Sequence, residues 1–149
     1  GVRVRVLLND EYAFAEIAGN GVPPGSEGST RRTKNRETVD YLNGFASREG
    51  LSLLALIADT HGMGVRYIHN KGVLVDGQRT LISSINWNRN SVERNREAAV
   101  VLTGTALAGY YSALFQSDWL VSYDKWQRDL KARTSQSETS TSLCQKSCG

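Results

Sequence analysis

An almost unbroken apolar run, L-S-L-L-A-L-I-A from Leu51 to Ala58, is the feature that most constrains the fold of this chain. A run of this length between a helix end and a polar loop is typical of a fully buried strand. A helix is predicted before it, from Asn35 as the N-cap to about Arg48. The alternating stretch from Val2 to Leu8 predicts an earlier strand. The order strand, helix, strand implies a right-handed crossover and a parallel pair.

The remaining predicted elements give an α/β fold with a mixed sheet flanked by helices. They are strands at Val65–Ile68, Gly72–Val75, Thr80–Ile85 and Glu97–Leu102, a hairpin turn at Asp76-Gly77, and a helix from Thr105 to about Trp119. The glycine- and proline-rich stretch from Asn9 to Thr33 is expected to be irregular. We expect one domain over residues 1–130, followed by a disordered Ser/Thr-rich tail over residues 131–149.

Composition indicates one globular domain with a mildly basic balance. The chain has 149 residues, of which 40% are apolar and 22% charged. No apolar run is long enough to span a membrane, and no signal-peptide pattern is visible. A net charge of +3 and a pI near 9.0 suit a phosphate-bearing partner, either nucleic acid or an anionic lipid surface. The cysteines, Cys144 and Cys148, lack the further ligands that a zinc site needs. No cluster of His, Cys or carboxylate residues with metal-ligand spacing is visible, so we expect no metal and no other cofactor.

Side chains that can carry chemistry are concentrated between Tyr67 and Glu97. His69 and Lys71 are two positions apart, so they point the same way if the segment is extended. The pair suits a phosphate-bearing substrate, because lysine supplies fixed positive charge and histidine acts as nucleophile or proton carrier near neutral pH. Ser84 and Asn86 would add hydrogen-bonding groups from a neighbouring strand. Taken alone, the histidine is better explained as a surface or packing group, the lysine as a surface charge and Asp76 as a turn residue, and Ser84 and Asn86 could simply close a strand end. The set of residues indicates a site.

This stretch resembles the H-x-K-x-x-x-x-D signature of the phospholipase D superfamily, with His69, Lys71 and Asp76 at the signature positions. The family follows the signature with a Gly-Ser pair and an Asn. This chain has Ser83-Ser84-Ile85-Asn86 at that place, with serine instead of the usual glycine at its first position. The family often has a downstream acidic residue that holds the catalytic histidine, and Glu97 stands where it is expected.

The resemblance is clearest from Arg66 to Leu102 and extends, in the order of elements, from Gly1 to Trp119. It implies a phospholipase D-like lobe that here lacks the family's first strand and helix. The family's lobes work in pairs, either as two repeats in one chain or as a homodimer, and each lobe contributes one histidine motif. Since this chain has one motif and no internal repeat, we expect it to be the C-terminal part of a two-motif enzyme, with a second lobe or a homodimer mate as partner.

The resemblance also implies hydrolysis or transfer of phosphodiester groups through a phosphohistidine intermediate. His69 would be one of two catalytic histidines, and Glu97 would accept a hydrogen bond from it. Asp76 would support the site from a distance by pairing with a nearby cation. The groups expected to hold the nonbridging phosphate oxygens are Lys71, Ser84 and Asn86.

Three functions are compatible with these residues. A phospholipid head group is the favoured substrate, because the N-W-N-R-N-S and N-R-E-A-A-V-V-L stretches resemble phospholipase D and cardiolipin synthase relatives. A metal-independent endonuclease of the same superfamily is the alternative, supported by the basic loops. The alternative of another class is a non-catalytic lobe that binds phosphate or completes the structure of a partner. A steep salt dependence of DNA binding would distinguish the nuclease.

Two other features carry predictions. Arg31, Arg32 and Lys34 form the densest positive cluster in the chain. They are either a mobile solvated loop or a surface that guides an anionic substrate toward His69. His61, in a glycine-flanked loop, is either a second catalytic group or a loop residue without a catalytic role.

Overall fold

The computed structural model describes the backbone of residues 1–9, 27–86 and 89–146, and the side chains of residues 1–9, 35–86 and 91–136. Its elements are strand β1 (Val4–Leu8), helix α1 (Glu27–Arg48), strands β2 (Leu53–Ile57), β3 (Lys71–Val75) and β4 (Arg79–Ser83), helix α2 (Arg89–Glu93), strand β5 (Ala99–Thr103) and helix α3 (Thr105–Lys146). The predicted α/β class is confirmed. The described strands form a two-stranded and a three-stranded sheet where a single mixed sheet was expected.

The two-stranded sheet carries the core. β1 and β2 pair in parallel, from Val4 opposite Leu53 to Leu8 opposite Ile57, as the strand–helix–strand order predicts. Helix α1 packs against β2, and α3 contacts β2 and all three strands of the other sheet. The buried apolar side chains are Val39, Ala46, Ala55, Leu56, Ala58, Ala108 and Trp119. The apolar run therefore supplies the centre of the core, as predicted.

The outer edge of β2 is bound by a side chain of α1. The Asn43 amide nitrogen donates a hydrogen bond to the Ala55 carbonyl at 2.9 Å, and the Ala55 N–H donates to Asn43 Oδ1 at 2.7 Å. These two bonds satisfy both backbone groups of Ala55, as a neighbouring strand would. A side chain thus protects this part of a strand edge.

The second sheet is antiparallel, with the order β3-β4-β5. Its first hairpin turns at Asp76 and Gly77, whose φ angles are 50° and 62°, and the Gln78 N–H donates to the Val75 carbonyl at 3.0 Å. Two consecutive positive φ angles are the geometry of the type I′ turn that Asp-Gly favours. The predicted hairpin turn is confirmed.

Helix α1 begins earlier than predicted. It runs from Glu27, so Asn35 lies inside the helix and is not its N-cap. The two prolines, Pro23 and Pro24, both precede Glu27, and the segment after them contains no proline. Asn35 makes a different contact, because its amide nitrogen donates to the carbonyl of Asn9 at 3.2 Å.

The segment from Val65 to Ile68, predicted as a strand, joins neither sheet. It follows a turn in which Gly64 has a φ of 70°. The Val65 N–H donates to the Thr60 carbonyl at 3.0 Å, so the chain folds back on this turn before β3 begins. The apolar residues of the segment gave it strand character in the sequence, but a strand also needs a neighbour.

Helix α3 continues to Lys146, well past Trp119, where the sequence predicted its end. Its helical backbone extends into residues 131–146, a segment that we expected to be disordered. The domain boundary near residue 130 stays a prediction. Within the part of the chain that the structure describes, no helix has the length and apolar character needed to cross a membrane.

Gly72 on β3 is predicted to be required for the hairpin. A Cβ atom at Gly72 would lie 2.8 Å from the Leu81 carbonyl oxygen, a backbone atom that cannot move without disturbing β4. We expect Gly72→Ala to lower the free energy of unfolding by about 1–3 kcal/mol, measured by urea denaturation.

The matched control is Gly109→Ala, in helix α3, where a Cβ would meet no atom within 4 Å. It should raise the free energy of unfolding by about 0.5–1 kcal/mol, because alanine favours a helix. Equal stability of the two variants would contradict the predicted clash.

Candidate active site

His69 lies on the extended segment between the turn after β2 and the start of β3, and its side chain is exposed. Its imidazole packs edge-on against the ring of Tyr67, with the ring centroids 5.7 Å apart. The backbone N–H of the preceding residue, Ile68, donates a hydrogen bond to Asn9 Oδ1 at 3.1 Å. Side-chain contacts therefore hold a segment that no strand pairs.

Lys71 begins β3, opposite Ser83 of β4, and is half-buried. Its ammonium group donates a hydrogen bond to the carbonyl of His69 at 2.7 Å. Partial burial lowers the pKa of Lys71, and the negative charge of nearby Glu97 opposes that shift. The structure thus places a partly desolvated cation directly beside the backbone of the motif histidine.

Glu97 lies just before β5, and its side chain links the end of β4 to the segment that leads into β5 through hydrogen bonds. Its carboxylate accepts hydrogen bonds from the hydroxyl groups of Ser84 and Ser91 and, at 3.2 Å, from the amide nitrogen of Asn95. These three donors lower the pKa of Glu97, the serines most, and the positive charge of Lys71 adds to the effect. Glu97 is therefore held as a carboxylate.

The contacts of Glu97 differ from the predicted contact with His69. Within the described side chains, the imidazole of His69 has no hydrogen bond, and Glu97 is bound by two serines and an asparagine. A hydrogen bond between Glu97 and His69 stays a prediction for an assembled site.

Ser84 and Asn86 were predicted to bind phosphate. In the structure, the side chain of Ser84 and the backbone of Asn86 form hydrogen bonds within the chain. The Ser84 hydroxyl donates to Glu97 and accepts the Ala98 N–H at 3.0 Å. Asn86 has an exposed side chain, and its backbone N–H donates to Ser91 Oγ at 3.0 Å. The amide of Asn86 thus faces solvent at the same end of the sheet.

Asp76 does not lie close to the other candidate residues. It lies in the turn that follows β3, whereas Lys71 starts that five-residue strand. At the rise of an extended chain, the two α-carbons are roughly 16 Å apart. The structure gives Asp76 a turn position, and its predicted pairing with a cation at the site stays a prediction.

Ser91 and Asn9 are contacts that the sequence interpretation missed. Ser91 is almost completely buried, with 1% of its surface exposed, and it links Asn86 to Glu97. Asn9 directly follows β1 and binds the segment that carries His69. The available signal for Asn9 was its place at the carboxyl end of a parallel strand, where sites of α/β proteins collect. For Ser91 the sequence showed a polar loop and no pattern to single it out.

The other predicted residues remain apart from this cluster or outside the description. His61 is exposed in the turn after β2, where its carbonyl accepts the Gly64 N–H at 3.0 Å. The backbone of Arg31, Arg32 and Lys34 lies in α1, whereas a loop was predicted, and their side chains lie outside the described residues. Among the described side chains, no group of three His, Cys, Asp or Glu residues is placed to hold a metal ion.

Comparison with known proteins gives relatives of one kind. Over 80 residues, 54% of its length, the chain is 29% identical to the mitochondrial cardiolipin hydrolase of Xenopus laevis, and these residues cover 38% of that protein. The mitochondrial cardiolipin hydrolase of Mus musculus is 28% identical over 80 residues, which cover 36% of it. The chain thus matches less than half the length of these curated relatives. No solved structure matches the chain.

The family comparison covers most of the chain. Residues 1–119 match the model of the family described as cardiolipin synthase, PLD-like domain. That range contains both sheets and every residue of the cluster around Glu97. The chain therefore belongs to the phospholipase D superfamily.

Proposed function

We propose that this chain supplies one half of the active site of a phospholipase D-type phosphodiesterase, in which a second lobe or a second copy supplies the other half. The observation that carries this proposal is the cluster at one end of the antiparallel sheet. There the Lys71 ammonium binds the carbonyl of His69, and the ionised Glu97 lies near the same ammonium. A cation, an imidazole and a fixed carboxylate are the groups that metal-free phosphoryl transfer requires.

The proposed reaction has two displacements. One motif imidazole, from this chain or its partner, attacks phosphorus and forms a P–N bond. The P–O bond to the leaving alcohol breaks, and the other imidazole gives its proton to that oxygen. Water, or an alcohol acceptor in a transfer reaction, then attacks the phosphohistidine and gives its proton back to the second imidazole. The P–N bond breaks, which restores both histidines.

The cluster offers a physical role to each of its members. The Lys71 ammonium would stabilise the charge that grows on the nonbridging oxygens, joined by the exposed amide of Asn86. Ser84 would contribute by fixing Glu97, since its hydroxyl proton is donated there. The charge of Glu97 would oppose the effect of burial on Lys71, because it raises the pKa of that ammonium.

A phospholipid is the substrate class that we propose. The matched family and the curated relatives both carry lipid names, cardiolipin synthase and cardiolipin hydrolase. The site itself binds a phosphodiester, which nucleic acids also contain. The two sources of that group are therefore separated by experiment.

His69→Ala is expected to reduce turnover of bis(p-nitrophenyl) phosphate by roughly 10³-fold or more, because the nucleophile or the proton donor is lost. Lys71→Arg should also be severely impaired, since a planar guanidinium does not replace a compact ammonium. Both variants are assayed together with the complete partner lobe.

The matched control for this prediction is His61→Ala, which removes the other histidine of the chain. It should retain activity, because His61 lies in the turn after β2 and, among the described residues, makes no hydrogen bond to the cluster. Wild-type rates in His69→Ala would contradict the proposed mechanism.

Ser91→Ala is expected to destabilise the protein more at neutral pH than in acid. The folded pKa of Glu97 is lowered, so the stability due to its ionised form exists above the unfolded pKa and disappears as pH falls through the folded pKa. Removing the Ser91 donor raises the folded pKa and reduces that contribution. Urea denaturation at about pH 7 and about pH 3 measures the difference.

The control is Ser83→Ala, because the Ser83 hydroxyl accepts the Ile85 N–H at 2.9 Å and does not bind Glu97. Its effect on stability should be similar at both pH values. A Ser91→Ala effect that is also independent of pH would show that Ser91 does not control the ionisation of Glu97.

The substrate class is tested with the complete enzyme on cardiolipin vesicles and on a single-stranded DNA oligonucleotide. We expect turnover of the lipid to exceed that of DNA, and DNA binding to weaken only modestly between about 50 and 200 mM salt. Faster cleavage of DNA, with steeply salt-dependent binding, would favour the nuclease instead. Binding of either compound without turnover would indicate a non-catalytic lobe.

A further inference from the structure

The segment that carries His69 depends on side chains for its position. Residues 66–70 belong to neither sheet, so they lack the ladder hydrogen bonds that fix a strand. Two backbone groups next to the imidazole are held from outside this segment. The Ile68 N–H donates to Asn9 Oδ1 at 3.1 Å, and the His69 carbonyl accepts the Lys71 ammonium at 2.7 Å.

Of these two contacts, the one from Asn9 connects His69 to the core. Asn9 follows Leu8, whose carbonyl accepts the Ala58 N–H of the neighbouring chain segment at 2.8 Å. The carbonyl of Asn9 is in turn bound by the Asn35 amide of α1 at 3.2 Å. Asn9 is therefore fixed by the parallel sheet and by α1, and its side chain reaches a segment 59 residues further along the chain.

We infer that Asn9 is a positioning residue for His69: its side-chain oxygen binds the N–H of Ile68, the residue immediately before the histidine, and holds the imidazole in place. The inference rests on the proposed catalytic role of His69. Loss of the acceptor would leave the Ile68 N–H without this bond and allow the 66–70 backbone to rotate. A displacement of about 1 Å at a reacting group can reduce a rate about 100-fold.

The side chain of Asn9 allows a direct test of this role. Asn9→Asp keeps an oxygen at the Oδ1 position and can still accept the Ile68 N–H. Asn9→Leu has similar size and no acceptor. Asn43→Leu is the control for general loss of stability, because it removes two hydrogen bonds between α1 and β2 and none to the His69 segment.

The first measurement is the proton NMR signal of the imidazole Cε1–H, recorded at the same pH for every variant. The chain has two histidines, so His61→Gln assigns both signals. We expect Asn9→Leu to shift or broaden the signal of His69 and to leave that of His61 unchanged. Asn9→Asp and Asn43→Leu should leave the His69 signal in place, although Asn43→Leu lowers the unfolding midpoint.

The second measurement is turnover with the partner lobe present. Asn9→Leu should lower kcat by about 10-fold or more with little change in KM, and Asn9→Asp should restore it to within about threefold of the wild type. An unchanged His69 signal in Asn9→Leu, or equal impairment of the Asp and Leu variants, would overturn the inference. Full activity of His69→Ala would instead contradict the proposed function, and the NMR signals would still decide whether Asn9 positions His69.

Discussion

The candidate site depends on the hydrogen bonds and the negative charge of the Glu97 carboxylate. This carboxylate accepts hydrogen bonds from Ser84 at the end of β4 and from Ser91 and Asn95 in the connection to β5. The same carboxylate attracts the ammonium of Lys71 at the start of β3. One ionised group thus joins three parts of the chain, and it remains charged because its donors lower its pKa. Without it, burial would lower the pKa of Lys71 unopposed, and Ser91 and Asn95 would lose an acceptor that they share with Ser84.

In the candidate site the charges of Lys71 and Glu97 interact with each other, whereas the imidazole of His69 has no hydrogen bond within the described side chains. The histidine is exposed and its ring packs edge-on against Tyr67, whereas Lys71, Glu97 and the serines beside it interact with each other. This is consistent with a half-site whose imidazole meets its substrate and its partner at an open surface. The chain matches 38% of the length of the Xenopus laevis relative and 36% of that of the Mus musculus relative. The proposed reaction needs two imidazoles, and we propose that a second lobe or a second copy of the chain supplies the other.

The sequence predicted the elements that depend on residue type and on the order of elements along the chain. It missed features that depend on contacts between residues far apart in the chain. The Asp76-Gly77 turn and the parallel pair of β1 and β2 follow from residue type and from the order of elements, and both are present. The strand predicted at 65–68 is absent, because apolar residues do not by themselves supply a neighbouring strand. The family resemblance named Lys71, Ser84 and Glu97 as site residues, and the structure places the three close together, whereas their roles stay predictions. Contacts such as Asn9 with Ile68 join residues 59 positions apart, and no periodicity in a single sequence reports them.

The stereochemistry at phosphorus tests the central claim most directly, because it does not depend on which lobe supplies the nucleophile. The complete enzyme would hydrolyse a phosphodiester with a chiral phosphorothioate centre in ¹⁸O-labelled water, and the configuration of the product would be read by ³¹P NMR. Two successive displacements at phosphorus, first by a histidine and then by water, each invert the phosphorus centre. The account therefore predicts overall retention of configuration. Inversion would mean that water attacks the diester directly, and that neither His69 nor its partner forms a bond to phosphorus.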